Sequence, residues 1–133
     1  MKSPAFAQTP FALWAPVLLY AALIYFLSGH SFHFFWFQNT QKSHADKLVH
    51  VVEYSVFGFL LGRAFGAQDL FRRSRGVLFL AVVLAGALYG ASDEFHQSFV
   101  PNRDSSPYDV VADTVGTAFG AWVWYKKIRK KNA

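Results

Sequence analysis

Residues 77–97 read VLFLAVVLAGALYGASDEFHQ. Val77 to Ala91 is uncharged, and Ser92, Asp93, Glu94, His96 and Gln97 follow with no proline between. A helix needs about 20 residues to cross a bilayer, and this stretch reaches that length only if Asp93 and Glu94 are part of it. Ionisable groups are costly in a bilayer core, so where they occur they mark a site. The stretch therefore predicts a membrane helix that carries its chemistry at one end.

The same composition recurs on either side. Phe11 to Leu27 is uncharged. Leu48 to Phe65 is apolar apart from His50, Glu53 and Arg63, and Tyr108 to Tyr125 holds Asp109 and Asp113 in its first turns. Four such runs in 133 residues leave little polar surface to cover a soluble core. Charged residues are 16% of the chain, against about 25% in soluble domains. Fifteen Phe, six Tyr and four Trp suit a lipid environment, where aromatic rings anchor at the interfaces. The expected fold is an all-α membrane protein of four transmembrane helices in a compact bundle, a single domain over residues 1–133. The first run reads as a retained helix rather than a cleaved leader: it is long for a signal peptide, and no Ala-x-Ala site follows.

The net charge of +5 does not point to nucleic acid. Lys126, Lys127, Arg129, Lys130 and Lys131 form a tail over 126–133, and Arg63, Arg72, Arg73 and Arg75 gather at one connection. With four spans these groups and Lys2 fall on one side, whereas Lys42, Lys47 and Arg103 fall on the other. By the positive-inside rule both termini are cytoplasmic. All five histidines and every acidic residue except Asp69 then lie in the outer half. Phe32 to Phe37, an aromatic segment broken only by His33, is too short to span and is expected along the outer interface after the first helix. The chain has no cysteine, which excludes disulfides and thiolate metal sites.

Residues three or four apart share a helix face. That places Asp46, His50, Glu53 and Phe57 on one stripe with Tyr54 beside it, and Tyr89, Asp93, His96 and Gln97 on another. Asp109, Asp113, Gly116 and Gly120 align on the last span, and Glu94 lies over Gly90 and Gly86. The two small-x-x-x-small pairs let helices approach closely. At 1.5 Å per residue, Asp113 lies about 20 Å above Lys126 and Glu53 about 9 Å in from Lys47, so the two carboxylates share a depth. Between the last two spans, Pro101-Asn102 suits a turn. Asp104, Ser105 or Ser106 is placed to cap the fourth helix before Pro107. Arg103 is then positioned to hold a carboxylate or phosphate, or to bridge to Asp109 or Asp113.

Three motifs in order along the chain resemble the VanZ-like membrane proteins. They are Asp46-Lys47-x-x-His50-x-x-Glu53-Tyr54-x-x-x-Gly58, then Tyr89-Gly90-x-x-Asp93-Glu94-x-His96-Gln97-x-Phe99-Val100-Pro101-x-Arg103, then Asp109-Val110-x-x-Asp113-x-x-Gly116-x-x-x-Gly120. The resemblance covers about residues 46–122. Relatives often carry Gly where this chain has Asn102, and often Asn in place of Asp113. The resemblance implies a bacterial cell (inner) membrane protein of the envelope, in a family named for a protein linked to resistance to the glycopeptide teicoplanin.

Three function classes follow. The first is an enzyme acting on an anionic envelope lipid or lipid-linked head group at the periplasmic or extracellular face. His50, Glu53, Asp93, Glu94 and His96 would carry acid–base chemistry. Lys47, Tyr54, Tyr89, Gln97, Arg103, Asp109 and Asp113 would hold the substrate. The second is a divalent metal protein: His50, Glu53, Asp93, Glu94 and His96 offer two imidazoles and several carboxylates, with His50, Glu53, Asp93 and His96 as the ligand set. No cofactor is otherwise implied. The third is a non-catalytic binding or assembly factor whose polar cluster joins its helices.

Overall fold

The computed structural model describes residues 9–30, 44–71, 73–101, 103 and 105–132. Four helices contain most of them: α1 (Pro10–Ser28), α2 (His44–Gly66), α3 (Arg75–Gln97) and α4 (Pro107–Asn132). A single 3-10 turn, Asp69–Phe71, lies between α2 and α3, and the described residues contain no strand. The aromatic segment expected along the interface, residues 32–37, lies outside them.

Local chemistry sets the helix ends. Thr9 caps α1 by accepting from Ala12 N at 3.2 Å, with Pro10 at the first helical position, where its missing N–H costs nothing. Ser74 caps α3 through Val77 N at 3.3 Å. Before α4, Ser106 Oγ accepts from Tyr108 N at 3.2 Å and Pro107 opens the helix. α3 continues unbroken past Ala91 to Gln97, so its polar end is helical.

The helices alternate in direction. Tyr20 Oη donates to Glu53 O and Arg63 donates to Ala12 O, which sets α1 antiparallel to α2. Gly90 lies against Asp113, and Arg75 donates to Tyr125 Oη, which sets α3 antiparallel to α4. α2 and α4 run parallel and are in the closest contact. A methyl group added at Gly116 would strike Val51 O, and one at Gly120 would strike Ser55 O. Gly58 likewise faces the Thr117 backbone. The small-residue spacing of α4 thus serves backbone contact with α2, and Gly86 and Gly90 admit Thr117 and Asp113 against α3. α1 packs on α2 and α3 and makes no contact with α4 among the described residues.

The core is a thin seam of Leu13, Val17, Ile24, Tyr54, Phe57, Leu61, Leu78, Val82 and Ala121. Much of the remaining apolar surface faces outward. Leu80, Leu84 and Leu88 on α3 are more than half exposed, as are Val111, Val115 and Phe119 on α4. Exposed faces of this size mark lipid contact or a partner. Three segments, Pro10–Ser28, Lys47–Gly66 and Arg75–Gln97, are long and apolar enough to cross a membrane. α4 is as long, but Asp109 and Asp113 lower the apolarity of its first turns, and it falls short of the other three.

Candidate functional site

The polar residues converge at one end of the bundle: the C-terminal ends of α1 and α3 and the N-terminal ends of α2 and α4. They form two adjoining groups that share His50.

The first group lines a recess of about 570 Å³ between α1, α2 and α3. Its polar wall is Tyr20, Ser28, His50, Glu53, Asp93, Gln97 and Arg103. Leu27, Leu48, Val49 and Val52 complete it. These four also count among the exposed apolar residues, Val52 at 66% and Leu48 at 64%. One cavity therefore has a charged wall and a rim continuous with the apolar exterior. Asp93 is clasped on both oxygens: Oδ1 accepts from Ser28 Oγ at 2.5 Å, and Oδ2 accepts from Gln97 Nε2 at 3.0 Å. It ties α1 to α3. Arg103 is placed by its own N–H, which donates to Val100 O at 3.2 Å. Its guanidinium Nε is buried with no hydrogen-bond partner among the described residues.

The second group lies behind His50, between α2, α3 and α4. His50 Nδ1 lies 2.8 Å from Asp113 Oδ1, and Lys47 Nζ lies 2.5 Å from Asp109 Oδ1. Glu94 Oε2 accepts from Ser106 N at 2.8 Å. Asp113 is fully buried, and His50, Glu94 and Asp109 are buried with it. His50, Glu94 and Asp109 each offer a ligand atom within 4.8 Å of the others'. The Nδ1 contact with Asp113 Oδ1 orients the imidazole.

Of the residues expected to act, His50, Glu53, Asp93, Gln97 and Arg103 line one recess, and Glu94, Asp109, Asp113 and Lys47 form the adjoining cluster. His96 is elsewhere. Its ring stacks on Tyr25 of α1, centroids 4.0 Å apart. The expected metal set of His50, Glu53, Asp93 and His96 is not the one brought together; the trio within ligating reach is His50, Glu94 and Asp109. Tyr54 is fully buried against Phe57 and Tyr89, and Tyr89 Oη donates to Ala21 O at 2.6 Å. Asp109 and Asp113 take Lys47 and His50 as partners, and Arg103 turns to the recess. The Asp46 side chain, Asn102 and Asp104 lie outside the described residues.

Sequence reading missed Tyr20 and Ser28, and it named Ser106 only as a cap of the fourth helix, not as the backbone donor to Glu94. A signal existed for the first two. Tyr20, Ile24 and Ser28 repeat at intervals of four on a helix otherwise uniform in character, and the polar members of that stripe face the recess.

A family model described as VanZ/LLP1 matches residues 4–129. The match extends well beyond the motifs at 46–122 and takes in α1. No curated protein matches the chain, and no solved structure matches it.

Proposed function

The chain belongs to the VanZ/LLP1 family, and from that premise we propose that it is a four-span protein of the bacterial cell membrane that takes up the anionic head group of an envelope lipid. The head group enters the recess between α1, α2 and α3 from the outer leaflet. One observation carries this reading: the charged wall of Glu53, Asp93, His50 and Arg103 shares a cavity with Leu27, Leu48, Val49 and Val52, which are exposed on the apolar exterior. A soluble ligand has no use for a rim that opens onto acyl chains. An amphiphile needs both parts: the head group beside the ionisable residues, the tails along Leu48 and Val52. Arg103 supplies the anion contact, since its Nε is buried and unpaired among the described residues and a guanidinium fork matches phosphate oxygens.

The alternating helix directions support four crossings, with both termini and the basic tail in the cytoplasm and the recess outside. The exposed face of α4 at Val111, Val115 and Phe119 supports α4 as the fourth span.

The test is lipid retention. Protein purified in mild detergent is exposed to equal mixtures of phosphatidylglycerol and diacylglycerol, and the bound lipid is measured by native mass spectrometry. Phosphatidylglycerol is expected to be retained preferentially, and Arg103→Gln to remove most of that preference. Equal retention of both lipids by the wild-type protein would end the proposal.

A second reading is favoured by the His50–Asp113 pair. A histidine oriented by a buried carboxylate is equipped to act as a general base toward water. On this reading the bound head group is hydrolysed, and an envelope lipid extract incubated with wild-type protein, but not with His50→Ala, gains a new product by mass spectrometry. The family resemblance extends the proposal to glycopeptides: expression in a susceptible bacterium should raise teicoplanin tolerance, and Arg103→Gln should abolish the increase.

A further inference from the structure

We infer that His50, Glu94 and Asp109 form a divalent-cation site at the junction of α2, α3 and α4. It is a different ligand set from the one sequence spacing suggests, and it stands independently of the head-group reading.

The geometry is the first support. Donors bound to one ion at about 2.0–2.6 Å must lie within about 5 Å of each other. One atom from each of these three side chains meets that condition, all lying within 4.8 Å of one another. They come from three helices, and all three side chains are buried. A cluster of acids alone would be weak support, but here the histidine is already oriented by a carboxylate. Asp113 Oδ1 lies 2.8 Å from Nδ1 of His50. Metal-binding histidines nearly always give their other ring N–H to a carboxylate, a backbone carbonyl or water, which fixes the tautomer and strengthens the donor.

Glu94 supplies a second, independent observation. Its Oε2 is held by Ser106 N, while Oε1 is buried and has no hydrogen-bond partner among the described residues. A buried carboxylate oxygen left unpaired is unfavourable, and a cation beside it removes the penalty. Charge points the same way. Glu94, Asp109 and Asp113 bring three carboxyl groups to one place, with Lys47 paired to Asp109. A divalent ion there would stabilise their ionised form. One imidazole and two carboxylates, with no thiolate in the chain, is a donor set for zinc or manganese rather than for a soft ion.

The site adjoins the recess through His50, which belongs to both. A cation held there would add positive charge to a wall otherwise rich in carboxylates. This last consequence rests on the head-group reading; the cation site does not.

The experiment uses the full chain in detergent, stripped with a chelator and titrated separately with zinc and manganese salts. Bound metal is counted by elemental analysis, and folding is followed by thermal melting. About one ion per chain is expected. Glu94→Gln and Asp109→Asn should each weaken binding by at least about tenfold, and Asp113→Asn by about 10–100-fold, the usual cost of losing an outer-shell partner. His96→Gln, outside the set and stacked on Tyr25, should leave affinity unchanged. Cobalt substitution gives a second readout, visible absorption bands of a His/carboxylate site that Glu94→Gln would alter. Folded wild-type protein that binds no stoichiometric ion would overturn the inference. So would loss of the ion on changing Glu53 or His96 but not Glu94. If Lys47 alone neutralises the cluster, wild-type protein binds nothing, and this too overturns it.

Discussion

A single buried side chain, Asp113, orients the histidine that the two polar groups share. Its Oδ1 faces the His50 imidazole at 2.8 Å, and its Oδ2 lies where a methyl group on Gly90 would come within 2.7 Å. Leucine at 113 would leave Nδ1–H of His50 without its acceptor in a dry seam. Losing one partner of a buried hydrogen bond costs about 1–3 kcal/mol, so Asp113→Leu should lower the melting temperature in detergent by several degrees. Asp113→Asn retains a carbonyl acceptor and should melt close to wild type. Equal destabilisation by both substitutions would show that charge, not hydrogen bonding, is what the position requires. Asp93 is expected to behave differently. Its clasp on Ser28 and Gln97 joins α1 to α3, so Asp93→Ala should loosen α1 and raise its proteolysis, with Ser28→Ala a weaker version of the same effect.

At the scale of the helix, the parallel pair α2 and α4 depends on missing side chains. Gly116 and Gly120 sit against carbonyl oxygens of Val51 and Ser55, and backbone cannot yield as a flexible side chain can. Overpacking in a tight interface typically costs about 1–3 kcal/mol. Gly120→Ala should therefore destabilise the protein, and Gly116→Ala should also move Val51 and, one residue away, His50. Gly76 is a useful control. A methyl group there meets only Ser74 Oγ, at 3.9 Å, so Gly76→Ala should be neutral or slightly stabilising in thermal melts. Matching melting temperatures for Gly120→Ala and Gly76→Ala would contradict the close approach of α2 and α4.

Across the whole molecule, charge is segregated along the bundle axis. Every described carboxylate except Asp69 gathers at one end, while Arg63, Arg75, Lys126 and Lys127 lie toward the other. Arg75 and Lys126 sit over the rings of Tyr125 and Trp122. Cationic side chains beside aromatic rings at a bundle end suit a headgroup interface. The absence of cysteine makes the orientation directly measurable. Ser105→Cys, at the acidic end, should react with an impermeant maleimide on intact cells. Ala67→Cys, at the basic end, should react only after permeabilisation. The reverse pattern would invert the proposed topology and place the recess on the cytoplasmic side.

Helicity, apolar surface and the family motifs were legible in the chain itself. Length, hydropathy and i, i+4 spacing are local properties, and a helix satisfies its own backbone hydrogen bonds without reference to its neighbours. The residues of the polar end could be named on the same basis, because His50, Glu53, Asp93 and Arg103 are conspicuous in an apolar context. Their partners could not. Periodicity assigns a side chain to a face but not to the helix that meets it, so only the packed structure paired His50 with Asp113 and Lys47 with Asp109. The same limit explains why His96 was grouped with Asp93 yet stacks on Tyr25, and why Ser28 escaped notice. Those pairings depend on how far each helix is rotated and shifted against the next. That is decided jointly by the glycines and by the side chains they admit, and no single segment encodes it.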